Sequence, residues 1–270
     1  MAEKLHSIGS ERKSRSGGGR GVMGVLGKVK TVLRMKGFEI YDRPYELNIV
    51  GIRSHHSKAN RFDDEMHVFF KTNSGGSEHY IFKITTDPGT YWLHNPMMPQ
   101  GTAILKEGQY KNVYQIGLHR GKYYALIQGG GTVTVIRDYN RDAILDWYNG
   151  KEQKGWFGIN IHRAMQKGTA KYVEEFSAGC QVFENTADFD LFMTLAQRHR
   201  SLYGNKFTYT LIDYRAMKRA SLRRWVTGIG IGAVALALFF PAVKELLSDI
   251  LNDETNESEQ RTKSETVSDH

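Results

Sequence analysis

The sequence predicts a mainly β fold, of mixed β-sandwich or barrel-like type with a few helices, followed by one carboxy-terminal transmembrane helix. Short apolar segments with strand-like alternation recur between residues 38 and 142, separated by turns rich in glycine and polar residues. Helical spacing occurs at residues 22–36 and again from residue 186, and a charge-free run covers residues 226–243. The chain has 270 residues, 40% of them hydrophobic, so it can bury a sizeable core.

The amino-terminal region is basic and divides into two parts. Residues 1–21 are rich in Ser, Gly, Lys and Arg, and are expected to be disordered because they contain too little apolar area to offset the entropy of ordering. Residues 22–36 predict a basic amphipathic helix. This helix either docks on the main domain or contacts an anionic membrane surface. No specific nucleic acid is expected, because no aromatic residue interrupts the basic run to stack on bases.

Residues 37–214 predict the main domain. A turn at residues 74–77 and a second turn at the glycines 129–131 each separate two predicted strands. A helix is expected to begin near Thr186 and to end at Gly204, followed by a closing strand. The predicted strands cover residues 45–50, 66–70, 79–84, 123–127, 132–136 and 207–212.

The carboxy-terminal region has the pattern of a membrane anchor. Residues 215–225 form a basic juxtamembrane segment, and the 18 uncharged residues 226–243 would reach roughly 27 Å as a helix, enough for a hydrocarbon core. A buried helix of a soluble protein is the alternative. The positive-inside rule puts residues 1–225 in the cytoplasm and the acidic, mostly disordered tail 244–270 outside.

The only cysteine, Cys180, follows the small residues Ser177, Ala178 and Gly179. His162 precedes it by 18 positions, at the end of an alternating apolar run. A thiol nucleophile needs a base to take its proton and small neighbours that let a carbonyl approach the backbone. An inert buried cysteine is the simpler alternative. A single cysteine forms no intramolecular disulfide, His-Glu-x-x-His is absent, and neither a metal nor a cofactor is expected.

The segment from His162 to Cys180 resembles the signature of the L,D-transpeptidase catalytic-domain family. That signature is a histidine, a gap of about this length, and Ser/Thr-His-Gly-Cys. Residues 84–91 are loosely similar to a second family turn, and the resemblance covers about residues 62–184. Two positions depart from the family pattern: Ala178 replaces the histidine before the glycine, and Val182 replaces an Arg or Asn.

The resemblance implies cysteine-dependent acyl transfer on the stem peptides of peptidoglycan. His162 would take the proton of Cys180, or hold it as a thiolate–imidazolium pair, and an active enzyme is expected to have a Cys180 of low pKa. The backbone N–H groups of Gly179 and Cys180 are the expected oxyanion donors, and Ser177 would bond to the substrate or to His162. The expected substrate-side residues are His119, Arg120, Asn160 and Ala178. Of these, Arg120 would face a stem carboxylate and Asn160 would support the base.

Two functions from different classes remain open. One is an enzyme that cross-links stem peptides if an amine resolves the thioester, or cleaves them if water does. The start of the chain lacks the apolar core of a secretion signal, so a cytoplasmic domain anchored by a carboxy-terminal helix suggests a lysis protein of a phage-infected bacterium. The other is a catalytically inactive, membrane-anchored binding or scaffold protein on the same fold.

Overall fold

The structure, a computed structural model, describes residues 24–219 of the chain. The chain divides into two compact units, Met1–Tyr214 and Arg215–His270, and the elements below belong to the first. Its strands are β1 (Asn48–Arg53), β2 (Asp64–Lys71), β3 (Ser77–Thr85), β4 (Thr102–Leu105), β5 (Gly108–His119), β6 (Tyr123–Gln128), β7 (Val133–Asp138), β8 (Lys151–Gly155), β9 (Ile161–Arg163), β10 (Gln181–Phe183) and β11 (Phe207–Asp213). Its helices are α1 (Val25–Met35), α2 (Thr90–His94) and α3 (Thr186–Tyr203), with a 3₁₀ turn at Glu174–Phe176.

Eight strands close into a barrel in the order β1-β11-β5-β6-β9-β10-β3-β2, which confirms the mainly β prediction. β1 pairs with β11 and β9 with β10 in parallel, and the other barrel pairs are antiparallel. Alternate residues of each strand point inward, so large apolar side chains fill the barrel. Fully buried members include Phe82, Tyr114, Phe183 and Tyr209.

A separate three-stranded sheet, in the order β4-β7-β8, lies outside the barrel order. β4 and β7 are antiparallel, with Ala103 opposite Arg137. Ile104 and Leu105 are fully buried in two different clusters, Leu105 in that of the barrel and Ile104 in a smaller one around Leu93 and Trp147. Both faces of β4 are therefore covered, one by the core of the barrel and the other by the smaller cluster.

Helix α3 follows the prediction closely. Its amino-terminal cap is Asn185, whose side chain accepts hydrogen bonds from the N–H groups of Ala187 and Asp188, and Gly204 ends it at a positive φ of 86°. Its buried face packs on the barrel end through Phe189 and Phe192, among others. The closing strand expected after it is β11.

Helix α1 covers Val25–Met35, within the predicted range 22–36. Its apolar stripe, Val29, Val32 and Leu33, is almost completely buried in the domain, and Lys30 lies 5.3 Å from the ring centre of Phe69 on β2. The helix therefore docks on the domain, the first of the two alternatives. These three side chains are therefore not available to lipid, whereas Val25 on the same helix is 43% exposed, so contact with an anionic membrane surface stays a prediction.

Several predictions fall on residues outside those described. These are the disordered tail 1–21, the juxtamembrane residues from 220 onward, the membrane helix 226–243 and the acidic tail 244–270. Within residues 24–219, no helix is both long and apolar enough to span a membrane.

Candidate active site

Strand pairing brings Cys180 and His162 to neighbouring strands. β9 and β10 run parallel, with Val182 opposite His162, and Cys180 immediately precedes β10. The N–H of Gln181 donates to the carbonyl of Asn160 at 2.8 Å, which extends the pairing toward the cysteine. Because side chains on one face repeat every two residues, Cys180 and His162 belong to the same face of these strands.

A tight turn holds the cysteine in place. The buried Ser177 hydroxyl donates to the carbonyl of Cys180 at 2.9 Å and accepts from the N–H of Gly179 at 3.1 Å. Gly179 has φ +119°, and a Cβ there would lie 2.2 Å from the carbonyl oxygen of Ala103, so no other residue fits without displacing backbone. The Ser177 hydroxyl and the N–H of Gly179 are thus used in hydrogen bonds within the turn, and not for a substrate or for His162. The N–H of Cys180 has no acceptor in the part of the chain that the structure describes.

Cys180 is partly buried, and among residues 24–219 its sulfur has backbone partners alone. The N–H of Asn160 donates to Sγ at 3.4 Å, and the thiol donates to the carbonyl of Gly158 at 3.5 Å. Burial raises the pKa of the Cys180 thiol. Among residues 24–219 no hydrogen bond joins Sγ to His162, so the free protein holds a neutral thiol. That differs from the low-pKa cysteine expected of an active enzyme.

His162 is oriented by a backbone carbonyl. Its Nδ1 lies 2.8 Å from the backbone carbonyl oxygen of Arg163. Because a carbonyl oxygen can only accept a hydrogen bond, Nδ1 carries the proton. The Tyr123 hydroxyl donates to the same carbonyl at 3.2 Å. Nε2 consequently has the lone pair that a base needs. Burial, and then the nearby His119, lower the pKa of His162 to about 3, so the imidazole is neutral at pH 7.

His119 lies against His162, with ring centres 4.1 Å apart and nearly parallel planes. The Asn160 Oδ1 accepts from the N–H of Gln128 at 2.9 Å, so its Nδ2 is the donor to His119 Nδ1 at 3.1 Å. His119 therefore carries its proton on Nε2. Burial, and then Arg120, lower the pKa of His119 to about 4. The two stacked rings are neutral. The free Nε2 of His119 can donate a hydrogen bond, and the free Nε2 of His162 can accept one.

Arg120 occupies the turn between β5 and β6, exposed and with a positive φ of 50°. Among the described residues no carboxylate lies within ion-pair distance of its guanidinium. Its charge contributes to lowering the pKa of His119 and His162. The predicted site residues on this side, His119, Arg120 and Asn160, thus lie together with His162.

On the other side of the turn lies a cavity of about 350 Å³, here called the Ala178 groove. Its residues are Trp92, Met97, Met98, Gly101, Thr102, Ala103, Arg137, Gln153, Trp156, Phe157 and Ala178. Ala178, which the sequence analysis placed on the substrate side, lines this groove. The sequence does not point to the other groove residues, because they come from six separate runs of the chain with no common motif.

The loop after β3 is hydrogen-bonded to the turn that contains Cys180. Asp64 accepts from the N–H of Thr86 at 2.6 Å, and buried Arg53 pairs with Asp87 at 3.0 Å. Two residues further on, the N–H of Gly89 donates to the carbonyl of Ser177 at 2.9 Å. The region that loosely matched a family turn in the sequence is therefore joined to the cysteine turn by a hydrogen bond.

Within residues 24–219, no group of three or more His, Cys, Asp or Glu side chains is arranged to hold a metal ion. The chain matches no protein-family model, no curated protein and no solved structure at a significant level. Function must therefore be argued from the residues of the site.

Proposed function

We propose that the protein is a cysteine-dependent acyltransferase in which Cys180 is the nucleophile and His162 the base. The observation that carries this proposal is the bond from His162 Nδ1 to the Arg163 carbonyl. It directs the basic lone pair to Nε2, on the strand next to the one that Cys180 precedes. A base whose tautomer is set by a third group is the arrangement that nucleophilic catalysis needs.

In the first step the Cys180 proton passes to His162 Nε2 as Sγ bonds to a substrate carbonyl carbon, and the carbonyl oxygen gains the negative charge. The N–H of Cys180 is available to that oxygen, and His119 Nε2–H is a second donor. The carbon–nitrogen bond then breaks, the amine leaves with the proton from His162, and a thioester remains. An incoming amine or water gives a proton to His162 and attacks the thioester, which releases the product and returns the proton to Cys180.

The two pKa shifts disfavour a preformed thiolate–imidazolium pair. Burial raises the pKa of the Cys180 thiol and lowers that of His162 to about 3, so both groups are neutral before substrate binds. Proton transfer then accompanies bond formation. The sequence left two routes open, proton transfer to His162 or a preformed thiolate–imidazolium pair, and we propose proton transfer.

The proposed substrates are peptidoglycan stem peptides. This choice rests on the resemblance of the segment from His162 to Cys180 to the L,D-transpeptidase family, and on the groove beside the cysteine turn. Transpeptidation and hydrolysis share the thioester and differ only in whether an amine or water resolves it. We further propose a membrane anchor at residues 226–243 with the catalytic unit in the cytoplasm, a setting that suits a phage or host lysis protein.

The second candidate is an inactive, membrane-anchored binding or scaffold protein. One observation favours it: Sγ bonds to Gly158 and Asn160 rather than to an imidazole, and the thiol pKa is raised. In this reading the groove binds a ligand without turnover.

The full-length protein in mild detergent, incubated with peptidoglycan sacculi, decides between the two candidates. Cys180→Ala is compared with the wild type, and His56→Ala serves as a control on an exposed histidine far along the chain. New muropeptide dimers indicate transpeptidation, and soluble muropeptides indicate hydrolysis, in each case lost with Cys180→Ala. Identical digests from wild type and Cys180→Ala would leave only the scaffold.

The proposed topology has its own test. Protease added to intact spheroplasts should remove the tail 244–270 and leave the catalytic unit intact. A tail that stays protected until the membrane is broken would contradict the orientation.

A further inference from the structure

The Ala178 groove contains a buried arginine with no acidic partner. Arg137, on β7, is 7% exposed. Its Nε donates to the Gln153 side chain at 2.9 Å and its Nη1 to the Gly101 carbonyl at 3.1 Å. Among residues 24–219 no carboxylate lies within 4 Å of the guanidinium, and Nη2 has no acceptor. Nη2 is not among the buried atoms that lack a partner, so it reaches solvent and can donate to a ligand in the groove.

The location of Arg137 connects it to the nucleophile. Its cross-strand partner is Ala103, whose carbonyl oxygen leaves no room for a Cβ at Gly179. Gly179 precedes Cys180, and Ala178 lines the same groove as Arg137. A ligand on the guanidinium would therefore lie one strand away from the cysteine turn.

The walls of the groove are apolar and open. Met97 is 64% and Trp156 58% exposed, and the Arg137 guanidinium lies 5.0 Å from the ring centre of Phe157. Arg137 also borders a second cavity, which contains Lys151. An aromatic and thioether surface around one oriented cation suits a chain that is partly apolar and carries an anionic group of carboxylate geometry.

We propose that Arg137 binds a carboxylate of the peptide substrate in the Ala178 groove and so sets which segment of the peptide lies beside Cys180. This inference rests on the proposed function for the identity of the peptide. Unlike the sequence-derived Arg120, on the imidazole side of the cysteine, Arg137 would act from the opposite side. The alternative is that Arg137 only ties Gly101 to Gln153.

Binding to the full-length Cys180→Ala protein tests this without turnover. The probes are a synthetic stem tetrapeptide with free carboxylates and two versions, one amidated at the carboxy terminus and one at the side-chain carboxylates. We expect one amidated version to bind about tenfold more weakly, and Arg137→Gln to remove that difference. Arg137→Lys should keep part of it, and Arg61→Gln, a matched change of an exposed arginine, should keep all of it.

The outcomes separate this proposal from the proposed function. If Arg137→Gln still discriminates between the peptides, or if no peptide binds, the carboxylate site is wrong whatever the sacculi assay shows. If discrimination depends on Arg137 in a protein that is inert on sacculi, the site stands and the enzyme does not. If both Arg137 variants lose the thermal unfolding transition of the parent, the arginine is structural and the proposal fails.

Discussion

The two sides of the Cys180 turn differ in the kind of polar group that is left without a partner. On the imidazole side, Asn160 links the N–H of Gln128 to His119, His162 bonds separately to the carbonyl of Arg163, and the two rings stack, so that among residues 24–219 Nε2 of each ring has no hydrogen-bond partner. In the Ala178 groove, Arg137 keeps an unused donor beneath exposed Trp156 and Met97. Rings held in one orientation with a free nitrogen suit proton transfer, whereas a free donor in an open groove is suited to a ligand. In the proposed function, proton transfer therefore belongs to the imidazole side and recognition to the groove.

The largest effect is expected at His162. His162→Ala removes the base, so turnover should fall by at least about 100-fold, while binding of the stem tetrapeptide changes little. The measurements are muropeptide release or dimer formation from sacculi and titration calorimetry. His56→Ala should leave both unchanged. Equal losses of binding and turnover would show that the two sides are not separate in function.

Gly179 joins the two sides, so a methyl group there should disturb both. Gly179→Ala places Cβ against the Ala103 carbonyl at φ +119°, and the free energy of unfolding should fall by about 3 kcal/mol in urea titrations. Gly121→Ala is the matched control. It also has positive φ, +71°, but nothing lies within 4 Å of its Cβ, and about 1 kcal/mol is expected. Equal losses would mean that contact with Ala103 does not constrain the turn.

Acid should destabilise the fold through buried histidines. His79, His119 and His162 have folded-state pKa values of about 4, 4 and 3, below the value of 6.5 expected when unfolded. The unfolded chain therefore binds more protons between pH 6.5 and about 3. These histidines lower the free energy of unfolding as the pH falls from 6.5 toward 3, whereas Asp64 and Asp138, whose pKa values burial raises, act in the opposite direction. Denaturant midpoints of the wild type and of His79→Gln from pH 7 to pH 4 isolate the histidine effect: the variant should lose less stability on acidification, and equal pH dependence of the two proteins would contradict the prediction.

The smallest effect concerns the free thiol. Because burial raises the pKa of the Cys180 thiol, little of it is thiolate at pH 7, and alkylation by iodoacetamide should accelerate only at alkaline pH. His162→Ala should leave this profile almost unchanged, since no hydrogen bond joins the two groups before substrate binds. A fast alkylation plateau near pH 7 that disappears in His162→Ala would instead indicate an ion pair.

The sequence predicted well those elements whose limits depend on adjacent residues. The turn at residues 74–77 lies between β2 and β3, and helix α3 starts after Asn185 and stops at Gly204, because caps and turns depend on adjacent residues. The first expected strand, 45–50, is shifted in the structure to Asn48–Arg53. Strand β8, Lys151–Gly155, was not predicted, since its largely exposed polar residues lack an apolar alternation.

The candidate site divides in the same way. Spacing and residue type selected Cys180 and His162, and the parallel pairing of β9 and β10 places their segments next to each other, while a working Cys180–His162 pair stays a prediction. Ser177 was expected near the substrate, but its hydroxyl is buried in the turn. Arg137 was overlooked because it directly follows a predicted strand and has no motif of its own.

The sequence by itself determined the mainly β class, the helix after residue 186 and the choice of one thiol and one imidazole, because these follow from periodicity, caps and residue chemistry along a short stretch of chain. Only the tertiary structure decided that the amino-terminal helix docks through Val29, Val32 and Leu33, that Asn160 orients His119, and that Arg137 faces a groove beside Ala178. Those features depend on which strands become neighbours and on how deeply each charge is buried. Both are properties of contacts between residues far apart in the chain.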